Sequence, residues 1–345
     1  MATVEITVRG AGIAGLSVAW ACARRGARVH VIDPGGVAAG ASGGIVGALA
    51  PHVPEQWNPK KAFQLESLLM AEDWWTAIEE VGGRSSGYAR TGRIQPVVPG
   101  GEALAYARAR GAKTLWQGRA EWEVTETAPA FAPTSESGLW IKDTLSAHIH
   151  PRQACNALAA AICAMGGNLT EDAETPDEGV VVEAMGAAGL DALTAQHHRL
   201  VGTGIKGQAV LLRHDAAGQP QLFADGLHII PHLDGTTAIG STTEREFEDP
   251  NTTDAQCDEL IKKARALVPA LADAPEITRW AGLRPRARTR APMLGRHPFR
   301  DGAFIANGGF KIGFGMAPLC AEKLADLILE ERDTIPDDFR PEASI

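Results

Sequence analysis

The chain has 345 residues, 45% hydrophobic and 22% charged, enough for one large core or two intertwined domains of a soluble globular protein. A formal net charge of −9 argues against non-specific nucleic-acid binding, which needs a surface that neutralises phosphates. The apolar run Ile13–Ala23 is too short to span a bilayer and carries Gly15 and Ser17, so neither a membrane span nor a signal peptide is expected.

Val4, Ile6 and Val8 mark a first strand. After a glycine turn comes a helix with apolar Leu16, Val18, Ala19, Trp20 and Ala23, and Gly26 stands where a glycine would end it. Arg28–Ile32 is a second strand, closed by Asp33-Pro34. This βαβ unit implies neighbouring parallel strands. Residues 35–50 are almost all Gly, Ala, Ser, Val and Ile, and a helical pattern then runs from Phe63 to Val81. From Gly87 to about Leu145 the pattern changes to short strands and turns, with Pro96, Pro99, Pro129 and Pro133 as breakers. A helix over Pro151–Met165 precedes an apolar strand at Gly179–Glu183. Residues 205–250 read as antiparallel strands with a hairpin turn at Asp234-Gly235. A helix near Thr253–Leu267, a strand at Ala303–Ala306 and a closing helix from near Pro318 follow. Helix-and-strand segments alternate with antiparallel ones at two separate places, so the chain is expected to weave between two domains. Cys22, Cys155, Cys163, Cys257 and Cys320 are odd in number and scattered without a CxxC pair, which points to reduced thiols in a cytoplasmic protein.

The strongest local signal is Gly10-Ala11-Gly12-Ile13-Ala14-Gly15, lying between a strand and a helix, with the acid Asp33 ending the next strand. Gly10 allows a tight turn, Gly12 lets a diphosphate approach the backbone, and Gly15 lets helix and strand pack closely. The diphosphate would rest on the helix N-terminus and Asp33 would take the adenosine ribose. A domain for NAD would resume strand-helix alternation soon after the acid. Here Gly35, Gly36, Gly40, Ser42, Gly43, Gly44 and Gly47 crowd one loop that can press its backbone against a large flat cofactor.

Four stretches carry a family likeness: residues 8–33 with the glycine turn, GASGGIVGALAPH at 40–52, IIPHLDGTTAIGSTTE, and WAGLRPRARTRAPMLGRHP with FIANGGFKIGFGMAP. Together they make the chain resemble the D-amino-acid-oxidase-like FAD oxidoreductases, nearest the glycine oxidase and sarcosine oxidase branch. The resemblance implies an α/β (α+β) fold in which a Rossmann-like FAD-binding domain, from 1–86, 147–204 and 284–345, interleaves with a mixed or antiparallel-sheet substrate domain from 87–146 and 205–283. It implies FAD contacts from the glycine turn, from Asp33 and Pro34, from Ala41, Ser42, Gly43, Gly44 and Val46, and from Gly308, Gly309, Phe310, Lys311, Ile312 and Gly313. It places Arg284 on a substrate carboxylate, where a guanidinium fork would give two hydrogen bonds. Lys311 stands where relatives tend to carry a second arginine, His228 where they often carry a tyrosine over the substrate, and Thr243 in a small pocket position of the same sheet. Arg286, Arg288 and Arg290 are expected to be solvated or structural, and His52 merely to end its segment. Asn168–Gly186 is short compared with relatives, and Glu183 stands where small residues are usual, which implies an altered wall on the adenine side.

The implied activity is oxidation of a small carboxylate-bearing amine by hydride transfer to flavin N5, followed by imine hydrolysis. Oxygen or another electron acceptor would complete the cycle. The other readings are oxidative trimming of a carboxymethylamino group on a modified tRNA uridine, a flavin-binding subunit without turnover, and an NAD-dependent dehydrogenase. His197-His198 has no cysteine or acid at metal spacing, so no metal is expected, and no GxSxG signature appears.

Overall fold

The computed structural model describes residues 4–345, so the expected start of the first segment at residue 1 lies outside the described residues. The chain opens β1 (Glu5–Arg9), α1 (Ile13–Ala23), β2 (Arg28–Ile32), β3 (Ala48–Leu49) and α2 (Pro59–Gly82). Then come β4 (Arg93–Pro96), α3 (Glu102–Leu115), β5 (Trp122–Thr125), β6 (Trp140–Asp143) and β7 (Ala147–His148). The middle holds α4 (Pro151–Ala164), β8 (Asn168–Thr170), β9 (Val180–Glu183), α5 (Gly186–His197) and β10 (Gly202–Arg213). Last are β11 (Gln221–Ala224), β12 (Leu227–Pro231), β13 (Thr236–Gly240), α6 (Gln256–Leu267), β14 (Glu276–Ala287), β15 (Met293–Arg296), β16 (Ala303–Asn307) and α7 (Gly313–Glu330).

Two sheets organise these elements. The first has the order β15-β16-β9-β1-β2-β8; its strands are parallel except β15 on the edge. Of the residues of α1, only Ala14 escapes burial, because the helix is enclosed by the sheet, α4 and α7. A helix buried all round needs no amphipathic stripe, and small Ala and Gly residues let its neighbours approach. The long helix α2 is held at its start by Asn58, whose side chain accepts the Lys61 N–H, and Pro59 follows at the first helical position. Leu16, Trp20, Leu68, Trp75 and Leu324 belong to one continuous core. The second sheet has the order β14-β10-β13-β12-β11-β4-β6-β5, antiparallel throughout except where β11 pairs with β4. Helix α6 covers one face of it over Leu212, Ile229 and Ile239. Small Ala209 and Ala238 on the other face pack against Ile45 of the glycine loop.

The weaving between two sheets is as expected, but several elements differ. The stretch 87–145 contains the helix α3. Its EALAYARARGAKTL is rich in good helix formers, with Glu102 in the first turn and Lys113 in the last. Only Ala105 and Ala112 of it are buried, so no broad apolar stripe announces it. The closing helix begins at Gly313, with Pro318 inside it. Proline removes one helical donor, and the opened turn is bridged from α2, where Ser67 Oγ accepts the Leu319 N–H at 3.3 Å. The strands β11, β14 and β15 and the helix α5 carry no signal that stood out in the sequence. Strand β10 runs through the expected division at 204/205, and β14 through that at 283/284, the two pairing from Gly202↔Ala287 to Leu212↔Glu276. We therefore propose domain divisions at the outer ends of these two strands.

Among the described residues no helix is long and apolar enough to cross a membrane, and all five cysteines are free. Two buried histidines sit between the sheets. His148 lies in β7, and its ring nitrogens are buried without partners. His232 Nε2 hydrogen-bonds the Ile45 carbonyl at 2.9 Å. Burial pushes both down from the ordinary 6.5 to about 4, and His228 to about 3. The unfolded chain thus takes up protons first as pH falls. Stability is full above pH 6.5 and declines toward pH 4, by up to about 1.4 kcal/mol per pH unit for each histidine. The urea midpoint should be clearly lower at pH 5.0 than at pH 7.5; equal midpoints would contradict the neutral buried state.

Candidate cofactor and substrate site

The C-terminal ends of β1, β2, β9 and β16 come together at one edge of the parallel sheet, and a cavity of about 1010 Å³ opens there. Open parallel sheets place their ligands at this edge, where neighbouring loops diverge. The first wall is the turn after β1. Gly10 has φ +115, and a Cβ on it would lie 2.4 Å from the Ala184 carbonyl oxygen beyond β9. A Cβ on Gly15 would lie 2.0 Å from the Gly10 carbonyl oxygen, so helix and turn touch backbone to backbone. Gly10, Gly12, Ile13 and Ala14 line the cavity, whereas Ala11 and Gly15 lie behind the wall. Asp33 has a double task. Its Oδ2 accepts the Ala11 N–H at 2.7 Å and its Oδ1 the Gly35 N–H at 3.0 Å, while the residue and Pro34 also line the cavity.

The glycine loop forms the second wall. Ser42 Oγ accepts the Ile13 N–H at 2.9 Å, tying this loop to the first turn of α1. Ala41, Ser42, Gly44 and Val46 line the cavity. Gly43 does not; a Cβ there would lie 2.3 Å from the Ala38 carbonyl oxygen, so this glycine serves packing. The third wall is Gly308–Gly313, between β16 and α7, all six residues of which line the cavity. The Phe310 N–H donates to the Pro285 carbonyl at 2.9 Å, which fastens this segment to β14. The N-terminus of α7 begins at Gly313, bringing its positive end to the same space.

These walls fit an extended, flat, anionic dinucleotide. A Cβ on Gly40 would meet nothing within 4 Å, and one on Gly313 nothing nearer than 3.9 Å, so open space lies directly over bare backbone. Gly12–Ala14 would face the diphosphate, Asp33 the ribose, and 308–313 the flavin ring. Glu183 does not alter the adenine side, because its carboxylate turns away to Arg300 at 3.2 Å and His297 at 3.3 Å. Small Ala184 and Met185–Gly186 line the cavity there instead.

The far end of the cavity meets the eight-stranded sheet. Trp280, Gly282 and Arg284 alternate along β14, and all three line the cavity. The Trp280 ring lies across Gly282, where a Cβ would be 2.5 Å from Cζ2, and reaches toward Gly44. Arg284 Nη1 donates to Ser241 Oγ at 2.6 Å, and Nη2 to the Thr242 carbonyl at 2.5 Å. Burial lowers its pKa to about 10, still fully cationic near neutrality. Burial, and then Arg284 itself, hold Lys311 below the usual lysine range. Arg284 Cζ and Lys311 Nζ lie 5.7 and 5.8 Å from the Phe310 ring centroid. Among the described residues that line the cavity, the one acid is Asp33, at the end of β2, so the charged lining near Arg284 is cationic. The His228 ring lies tilted against Phe223, centroids 4.6 Å apart; burial, Arg93 and Lys311 keep it neutral, and its Nδ1 is buried without a partner.

Arg284, Lys311 and His228 are thus brought together, but Thr243 is not. It is exposed and off the cavity, because β13 ends at Gly240 and strand alternation no longer carries it inward. Ser241 lines the cavity instead. Arg286, Arg288 and Arg290 lie off the cavity, with Arg288 bonded to the Ile345 carbonyl at 2.6 Å. His52 hydrogen-bonds Gln64 and also lies outside. Trp280 and Ser241 went unnoticed in the sequence. For Trp280 the available signal was a bulky residue two positions before a glycine on the same strand face.

Comparison with known proteins gives concordant relatives. The chain is 26% identical over 362 residues to a glycine oxidase of Geobacillus kaustophilus, covering 96% of this chain and 94% of that one. It is 28% identical over 341 residues to a putative thiamine biosynthesis oxidoreductase ThiO of Rhizobium etli, covering 95% and 98%. It is 26% identical over 357 residues to a bifunctional protein ThiO/ThiG of a Nostoc species, of which it spans 53%, about half the length. The crystal structure of the Geobacillus kaustophilus glycine oxidase superposes with a TM-score of 0.82 at 23% identity over 98% of both chains, so the fold is shared. The family described as DAO, FAD dependent oxidoreductase, matches residues 5–327, a span that holds all three cavity walls and Arg284. On that match the chain belongs to the DAO family of FAD-dependent oxidoreductases.

Proposed function

We propose that this protein oxidises the carbon next to nitrogen in a small amine that carries a carboxylate, of the glycine, N-substituted glycine or D-amino acid type. The observation that carries this reading is Arg284, a buried guanidinium at the end of the cavity opposite Asp33, with no carboxylate of the protein paired to it among the described residues. A buried cation without a counter-charge is costly, and an anionic ligand relieves that cost. The names of the full-length relatives agree with a glycine-type substrate.

FAD, when bound, would supply the redox chemistry as the acceptor of a hydride from the carbon beside the nitrogen. The protein supplies position. Arg284 and Lys311 hold the carboxylate end of the substrate, which fixes where its amine end and the carbon beside it lie in the cavity. His228 is neutral at working pH, so it offers a hydrogen bond without repelling the amine and without acting as a strong base. Trp280 and Phe223 wall the reacting carbon from water. The positive end of α7 favours negative charge arriving at the cavity. Once released, the imine hydrolyses to a carbonyl compound and an amine or ammonia. Oxygen or an electron carrier completes the turnover, in a cytoplasm reducing enough to keep the five cysteines as thiols.

The purified protein should show a flavin spectrum that glycine, sarcosine, a D-amino acid or another N-substituted glycine bleaches without oxygen. If none of them bleaches it, the substrate class is wrong. Arg284→Ala should raise KM for the carboxylated amine by about tenfold to a hundredfold, the loss expected for hydrogen bonds to a charged group. A plain amine of similar size should be affected far less; equal effects on both would remove Arg284 from the carboxylate.

A further inference from the structure

Arg284 does not stand free at the end of the cavity. Nη1 donates to Ser241 Oγ at 2.6 Å, and Nη2 donates to the carbonyls of Thr242 at 2.5 Å and Lys206 at 3.3 Å. The guanidinium lies against Gly207, where a Cβ would sit 2.3 Å from Nη2 and 2.4 Å from Cζ. Its carbonyl partners are themselves fixed from behind. The Thr242 hydroxyl donates to Glu244, and Lys206 Nζ stands 3.8 Å from the same carboxylate.

Both Nη2 protons are therefore spent inside the protein. Either fork that a guanidinium offers a carboxylate uses one Nη2 proton, together with one from Nη1 or from Nε. Neither fork is intact here. What remains is the Nε–H, buried without a partner, and a single Nη1 proton. Charge is present at this end of the cavity, but the paired donors that seat a carboxylate are incomplete.

Ser241 makes up the deficit. It lines the cavity, and its Oγ accepts from Arg284 while its own proton goes to no acceptor among the described residues. A hydroxyl that accepts from a cation is polarised and becomes a stronger donor in turn. We propose that Ser241 is a substrate-binding residue, its hydroxyl donating directly to the substrate carboxylate while it holds the Arg284 guanidinium in place. Gly207 belongs to the same seat, since a side chain there would occupy the space of the guanidinium. The inference rests on the carboxylate-bearing substrate proposed above.

The test uses the FAD-loaded protein and acetate, a carboxylate that cannot be oxidised at an amine carbon, titrated by the change in the visible spectrum. Ser241→Ala should weaken acetate binding by about tenfold or more and raise KM for the amine substrate in step, with kcat changed less. Ser241→Thr, which keeps the hydroxyl, should largely restore both. Acetate binding as tight in Ser241→Ala as in the unaltered protein would overturn the proposal. So would a loss in Ser241→Thr as large as in Ser241→Ala, since that would make space the cause rather than the hydroxyl. If Ser241→Ala does not hold FAD, Ser241→Cys, close in size with a weaker donor, takes its place and should also weaken acetate; unchanged affinity overturns the role again. If the unaltered protein neither binds acetate nor is reduced by any carboxylated amine, the substrate reading itself falls. If it does both and the variants are unaffected, only the role of Ser241 falls.

Discussion

Asp33 accepts two backbone N–H groups, from Ala11 and from Gly35, and so binds the end of β2 to the turn that follows β1. The remaining site depends on that tie. It holds the turn where α1 can begin, and α1 is then gripped by Ser42 through the Ile13 N–H, which brings the glycine loop against the same helix end. Loops from distant parts of the chain can close around one cavity because backbone touches backbone there, as where Gly10 meets Ala184. The glycines that look alike in sequence therefore divide into two kinds. Gly40 and Gly313 leave open space over the cavity, while Gly15 and Gly43 leave room for the protein itself.

The substrate end obeys a different constraint. Arg284 is a cation taken out of water, and its energetic cost is met by two carbonyls and a hydroxyl rather than by a carboxylate close by. An adjacent acid would satisfy the guanidinium and leave nothing to attract an anionic ligand. Glu244 is set one step back, behind Lys206 and Thr242, where it steadies the acceptors without neutralising the cavity. The eight-stranded sheet makes this possible. Its β10 and β14 run side by side for their whole length, so Gly207 and Arg284 face the same space although they are far apart in the chain.

Much of the fold was legible because period and punctuation are local properties. The βαβ opening, the buried strand before α5 and the hairpin at Asp234-Gly235 each declare themselves within a dozen residues. Helix α3 was hidden because it buries little and so needs no apolar stripe, and the true start of α7 because Pro318 reads as a beginning when Ser67 lets it stand inside. At the site, Arg284, Lys311 and His228 were identifiable from resemblance. Thr243 was not separable from Ser241, since both follow the same strand and only the point where β13 ends decides which one faces the cavity.

The sequence by itself determined the dinucleotide turn, its acid, the glycine-rich segments and the arginine, because each is a residue type that its chemistry requires at a short, fixed spacing. Only the tertiary structure decided which of those glycines face the cavity and which pack against protein. It alone decided that Glu183 turns away toward Arg300, and that Arg284 spends its paired donors on Ser241, Thr242 and Lys206. The physical reason is the same in each case. A hydrogen bond or a close contact joins residues by distance in space, and across two interleaved sheets that distance is set by strand order and register, which no local spacing records.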